Sequence, residues 1–130
     1  MIAEIPDNRI QAVLRSRLES YTPPADEAKL VEAALQKPIG SRLLEEIAVG
    51  KEKVVLIASD HTRPVPSKLL VPPMLNAIRK GNPDAKITIL IATGCHRNTT
   101  KAELEEKFGP ELVAKEEIVV HDCMDEANLV

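Results

Sequence analysis

VVLIASDHTRPVPS (residues 54–67) and ITILIATGCHR (residues 87–97) decide how this chain folds. Each opens as an apolar, largely β-branched run, the signature of a core strand. Each then passes without a break into a polar segment. In an open parallel sheet, ligands bind in the crevice beyond the carboxyl ends of the strands. Two such strands side by side would bring Asp60, Arg63 and His96 together at one edge. A carboxylate, a guanidinium and an imidazole collected there point to chemistry rather than packing.

Working outward, Ile118-Val119-Val120 reads as a third strand. The three runs are spaced by roughly 30 residues with helical patterns between them, the βαβ rhythm of a parallel sheet with crossover helices. Between the first two, Val71, Met74, Leu75 and Ile78 recur at helical spacing up to Gly81-Asn82-Pro83. Pro72 and Pro73 predict that this helix starts late or kinks. Thr100 and Glu103 form a capping box for a helix over 100–107, which Phe108-Gly109-Pro110 ends before a further helical turn. Upstream, residues 1–5 read as a short strand. A helix is expected from Ala25 to Gln36 after the Tyr21-Thr22-Pro23-Pro24 breaker. Ser41 is placed to cap a short helix that buries Leu43, Leu44 and Ile47 and stops at Gly50.

Composition sets the outer bounds. A chain of 130 residues is one domain's worth and long enough for a real core. With 2% aromatics, that core must be built from Leu, Ile, Val and Ala. The net charge of −3, with basic residues scattered among acidic ones, argues against nucleic acid as a partner. No apolar run approaches a membrane span, and the N-terminus has no signal-like pattern, so a cytoplasmic location is expected. Cys95 and Cys123 form no CxxC pair and support no disulfide framework.

The candidate site residues divide by chemistry. Arg63, followed by Pro64 and Pro66, is a guanidinium on extended backbone, suited to gripping a carboxylate or phosphate with two parallel hydrogen bonds. The alternative is a surface arginine paired with Asp60. Asp60 can orient Arg63, bond a ligand hydroxyl, or cap its own loop. Ser59, Thr62 and Ser67 add hydroxyls. His96 follows a Thr93-Gly94 turn and can take and return a proton near neutrality. His61 is supporting, pointing to the opposite side. His121-Asp122 is either a third wall of the crevice or a solvent-facing loop. Cys95 reads as a small filler at the glycine turn. Neither a P-loop, a dinucleotide fingerprint nor a zinc motif is present.

At SDHTRPVPS (59–67) and ATGCHRNTT (92–100) the sequence resembles the N-terminal domain of the lactate racemase family. Smaller pieces agree: KPIGS (37–41), NPDAKITIL (82–90) and FGPELVAKEEIVVHD (108–122). The resemblance implies an α/β, Rossmann-like parallel-sheet domain, with residues 1–130 forming the N-terminal part of a catalytic domain in a larger two-domain enzyme. It implies racemisation or epimerisation of a small 2-hydroxy acid. A hydride passes to a nickel-pincer nucleotide, and a histidine moves the hydroxyl proton. His96 matches a catalytic acid–base histidine, Arg63 the arginine that holds the substrate carboxylate, and Asp60 the neighbouring active-site aspartate. The family's second histidine, its tethering lysine and its nickel-binding histidine have no counterpart before Val130. The fragment alone is therefore expected to hold no cofactor or metal and to be inactive. Cofactor-synthesis proteins are implied as partners, and an incomplete sheet with apolar edge leaves self-association into a homo-oligomer open. The alternative is a non-catalytic α/β module that binds a small anion or nucleotide.

Overall fold

A computed structural model of the chain describes residues 4–22 and 26–128. Its centre is a parallel sheet of three strands, β1 (Lys53–Ser59), β2 (Lys86–Ala92) and β3 (Glu117–Val120), in the order β1-β2-β3. The register aligns Leu56 with Ile89 and Ile118, and Ala58 with Ile91 and Val120. Because side chains alternate along a strand, these rows share one face with Ile87. That face is the core: Ile89 and Ile91 are fully buried, a burial that contributes about 1.5–3 kcal/mol for each side chain.

The helices close that same face. α3 (Ser67–Gly81) crosses from β1 to β2 and buries Val71, Leu75 and Ile78. α4 (Lys101–Phe108) and α5 (Pro110–Lys115) cross from β2 to β3, and α4 contributes Leu104 and Phe108. The other sheet face, with Val55, Ile57 and Val119, is exposed. α1 (Glu27–Gln36) and α2 (Leu44–Ala48) both pack against α3. α3 runs unbroken from Ser67 through Pro72 and Pro73 rather than starting late. Each proline removes one intrahelical donor, and their rings line the groove that α3 forms with α1 and α2.

Three further differences from the sequence reading have local causes. Residues 1–3 of the expected N-terminal strand lie outside the described residues, and Glu4 and Ile5 are in no strand. Among the described residues, the sheet is β1-β2-β3 and neither residue pairs with it. Helix α1 begins at Glu27 because Asp26 caps it, its Oδ1 accepting from Lys29 N at 3.1 Å; Ala25 lies outside the described residues. Helix α2 starts beyond Leu43, not at Ser41. Glu46 Oε2 accepts from Leu43 N at 3.1 Å, while Ser41 Oγ donates to Arg42 O instead. Within α2, Ala48 is buried and Ile47 is exposed. Thr100 and Glu103 do form the expected capping box at α4. Among the described residues, no helix is long and apolar enough to cross a membrane.

Candidate active site at two strand ends

The pairing of Ser59 with Ala92 sets the polar tails of β1 and β2 side by side. Asp60, the first residue past β1, is 2% exposed. Its Oδ1 accepts from Thr62 Oγ1 at 2.7 Å and from Thr62 N at 3.2 Å, an aspartate turn closed by a hydroxyl two residues on. The other oxygen, Oδ2, accepts from His96 Nδ1 at 2.6 Å. His96 reaches it because the chain turns sharply past β2. Gly94 sits at φ +57°, where a side chain would be strained, and His96 N donates to Thr93 O at 3.0 Å.

The charge state follows from these bonds. The Thr62 hydroxyl is the largest influence holding the Asp60 carboxyl down to about 2; burial opposes it, and the His96 hydrogen bond and the Thr62 amide add to it. An ionised carboxylate only accepts, so His96 must carry its proton on Nδ1. That assignment, drawn from the bonding pattern, places the lone pair of the neutral ring on Nε2. The His96 side chain is 46% exposed.

Arg63 lies across the same cleft, a space of about 520 Å³ lined by Ser59, Asp60, Arg63, Thr93, Cys95 and His96 among others. Asp60 bonds Thr62 and His96, and among the described residues it does not pair with the Arg63 guanidinium. Arg63 is instead fixed through its backbone. Its N–H donates to Asp60 O at 3.4 Å, and its carbonyl accepts from Val65 N at 2.8 Å and Lys107 Nζ at 2.9 Å. Among the described residues, the guanidinium forms no hydrogen bond or ion pair.

The remaining histidines point elsewhere. His61 faces away, its Nδ1 3.1 Å from Thr99 Oγ1 and 4.0 Å from Glu103 Oε2. Thr93 Oγ1 donates to His121 O at 2.8 Å and lies 3.0 Å from His121 Nδ1. With its one proton committed there, the hydroxyl accepts from the ring, so His121 clasps β3 to the end of β2. It does not line the cleft. Asp122 turns to Met124 N, at 2.9 Å. Cys95 is exposed beside His96. Arg97 joins Glu103 through two hydrogen bonds, at 2.9 and 2.5 Å. With Thr100, that pairing holds the Glu103 carboxyl far below its usual range.

From sequence, Thr62 offers a hydroxyl and a main-chain donor; the structure turns both onto Asp60, two residues earlier. Thr93, Glu103 and Lys107 carried no recognisable signal as site neighbours. For a nickel cofactor, among the described residues no three His, Cys, Asp or Glu side chains converge on a metal position. The strand ends offer a proton-transfer group and a cation for an anion, a donor set that does not make a nickel site.

Comparison with known proteins adds the following. The lactate racemase N-terminal domain family matches residues 1–130. A lactate racemase from Thermoanaerobacterium thermosaccharolyticum is 48% identical over 126 residues, covering 97% of this chain and 30% of the relative. One from Lactiplantibacillus plantarum is 45% identical over 128 residues, covering 98% and 30%. The solved structure of the lactate racemase apoprotein from T. thermosaccharolyticum superposes with a TM-score of 0.83 at 47% identity, covering 97% of this chain and 28% of that one. The chain thus spans about 30% of the length of these curated relatives.

Proposed function

Because this chain belongs to the lactate racemase N-terminal domain family, we propose that its strand-end cleft is the proton-transfer and carboxylate-binding part of an active site that interconverts stereoisomers of a 2-hydroxy acid. The 2.6 Å bond between Asp60 and His96 carries this reading. It holds the neutral imidazole in one tautomer, whose Nε2 lone pair can serve a substrate hydroxyl in the cleft that Arg63 also lines.

Each role follows from chemistry. The unpaired guanidinium of Arg63 takes the substrate carboxylate in a two-point grip, which fixes both distance and plane. His96 Nε2 accepts the hydroxyl proton as the carbinol carbon is oxidised, and returns it when the carbon is reduced. Asp60 holds the ring and faces the positive charge that the ring gains. A hydrogen on a carbon beside an ionised carboxylate is a very weak acid, and a bound hydride acceptor would avoid forming a carbanion there. For the nickel-pincer nucleotide implied by the resemblance, no three His, Cys, Asp or Glu side chains converge on a metal position among the described residues. The roles proposed for this chain are accordingly confined to the proton and the carboxylate.

A chimera tests the proposal. This chain replaces the matching segment of the T. thermosaccharolyticum lactate racemase, and the folded, cofactor-loaded product is given single enantiomers of several 2-hydroxy acids. Chiral chromatography should show interconversion that His96→Ala abolishes. Activity that survives His96→Ala refutes its role, and a loaded chimera that converts none of the acids refutes the reaction class.

A further inference from the structure

Helix α4 touches both halves of the cleft from behind. Near its first turn, Glu103 binds Arg97, the residue after His96. One turn later, on the same helical face, Lys107 Nζ donates to the carbonyl of Arg63 at 2.9 Å, across 44 positions of sequence. The helix is itself anchored by Leu104 and Phe108, both buried in the core. A rigid element therefore holds the backbone of the cleft arginine, whose guanidinium has no protein partner among the described residues.

The Lys107 bond is not needed to satisfy that carbonyl, because Val65 N already donates to it at 2.8 Å. Nor does an ion pair account for it: among the described residues, no carboxylate lies within 4.0 Å of the Lys107 ammonium. Burial lowers the tendency of the ammonium to stay charged, so its placement carries a cost. What the bond does accomplish is positional. It pins the Cα of Arg63 relative to α4, just before Pro64 stiffens the chain.

We propose that Lys107 is a positioning residue for the carboxylate grip: by holding the Arg63 carbonyl, it sets where the guanidinium stands in the cleft. This rests on the reading of Arg63 given above. A long side chain searches a smaller volume when its root is fixed, so less ordering remains to be done on binding. The ligand class follows as a small carboxylate, gripped at a distance from His96 that Lys107 helps to define.

The test uses the full 130-residue chain, labelled with ¹⁵N. Relaxation of the Arg63 amide and Nε–H reports order at the root and tip of the side chain. Titration with L- and D-lactate, followed at Arg63 Nε–H, reports the grip. Lys107→Met keeps the stem but removes the donor. It should lower the order parameters at Arg63 and weaken lactate binding about tenfold, with the melting temperature unchanged. Lys107→Arg, which restores a donor, should recover most of both. Unchanged Arg63 order in Lys107→Met overturns the inference, as does lactate affinity equal to that of the parent. Arg63→Ala separates the two ideas. If it abolishes binding while Lys107→Met binds lactate like the parent, the positioning role fails and the carboxylate-binding reading stands. If Arg63→Ala binds lactate like the parent, that reading fails and the positioning role with it.

Discussion

Replacing Gly81 with alanine should destabilise the chain by about 2 kcal/mol, for a reason invisible in the residue itself. Gly81 closes α3 with no left-handed backbone to require a glycine. In an unobstructed helix, the exchange would stabilise by up to about 1 kcal/mol. Here a Cβ would stand 1.8 Å from the carbonyl oxygen of Glu45 and 2.6 Å from its carbon. Ordinary contact needs roughly 1.5 Å more, and the obstacle is backbone, so α2 and α3 must separate. Overpacking of this kind costs about 1–3 kcal/mol, and a main-chain obstacle belongs at the upper end. Set against the helix gain, about 2 kcal/mol remains. Unfolding entropy of about 2.1 cal/mol/K per residue gives about 0.27 kcal/mol/K for this chain, so the melting midpoint should fall by about 7 °C. Thermal denaturation followed by circular dichroism, with a denaturant titration as a second measure, makes the comparison. A Gly81→Ala protein that melts at or above the parent temperature would refute the packing argument.

Gly40 has the opposite profile, with φ +68° and open space around its Cα, so Gly40→Ala should cost about 1 kcal/mol from backbone strain alone. The Asp60 carboxyl is held at about 2, below its ordinary 3.8; the stability it contributes is fully present above the unfolded value and is lost as pH falls from about 4 towards 2. Thr62→Val removes the largest cause of that depression, so a ¹³C titration should find the Asp60 carboxyl raised and the acid transition shifted to higher pH. Asp60→Asn should release the His96 tautomer, visible as a changed ¹⁵N pattern at its ring nitrogens, and lower kcat of the chimera by about 10²- to 10⁴-fold; a change within about threefold would remove Asp60 from the mechanism. Arg79 grips Glu116 at 3.0 and 2.6 Å, and the Glu116 side chain is 5% exposed. Arg79→Met should therefore cost about 2 kcal/mol in chemical denaturation, with weak dependence on salt.

The layout of the domain was legible because it rests on periodicity. Val54–Ala58, Ile87–Ala92 and Ile118–Val120 announce strands by composition, and the spacing between them leaves room only for crossovers. The Thr100–Glu103 box was legible because capping is local. The start of α2 was not. Ser41 and the Leu43–Glu46 pair compete for the same helix end within a few residues, and Glu46 is the one that reaches the free amide. The strand expected at residues 1–5 failed at Glu4 and Ile5 for a different reason: a strand needs a neighbour, and pairing is not a property of the segment.

The site divides along the same line. Sequence alone determined which functional groups stand at the strand ends, because strand, turn and residue type are written within a few consecutive positions: Asp60 after β1, His96 after the glycine turn, Arg63 ahead of Pro64. Tertiary structure decided how they are used. It gave Asp60 to His96 rather than to Arg63, turned His61 towards Thr99, and tied His121 to Thr93. It also brought Lys107 to the Arg63 carbonyl. Those choices depend on directions and distances between residues that are 28 to 44 positions apart. The register of β1 against β2 and the docking of α4 set them, and no local pattern encodes either.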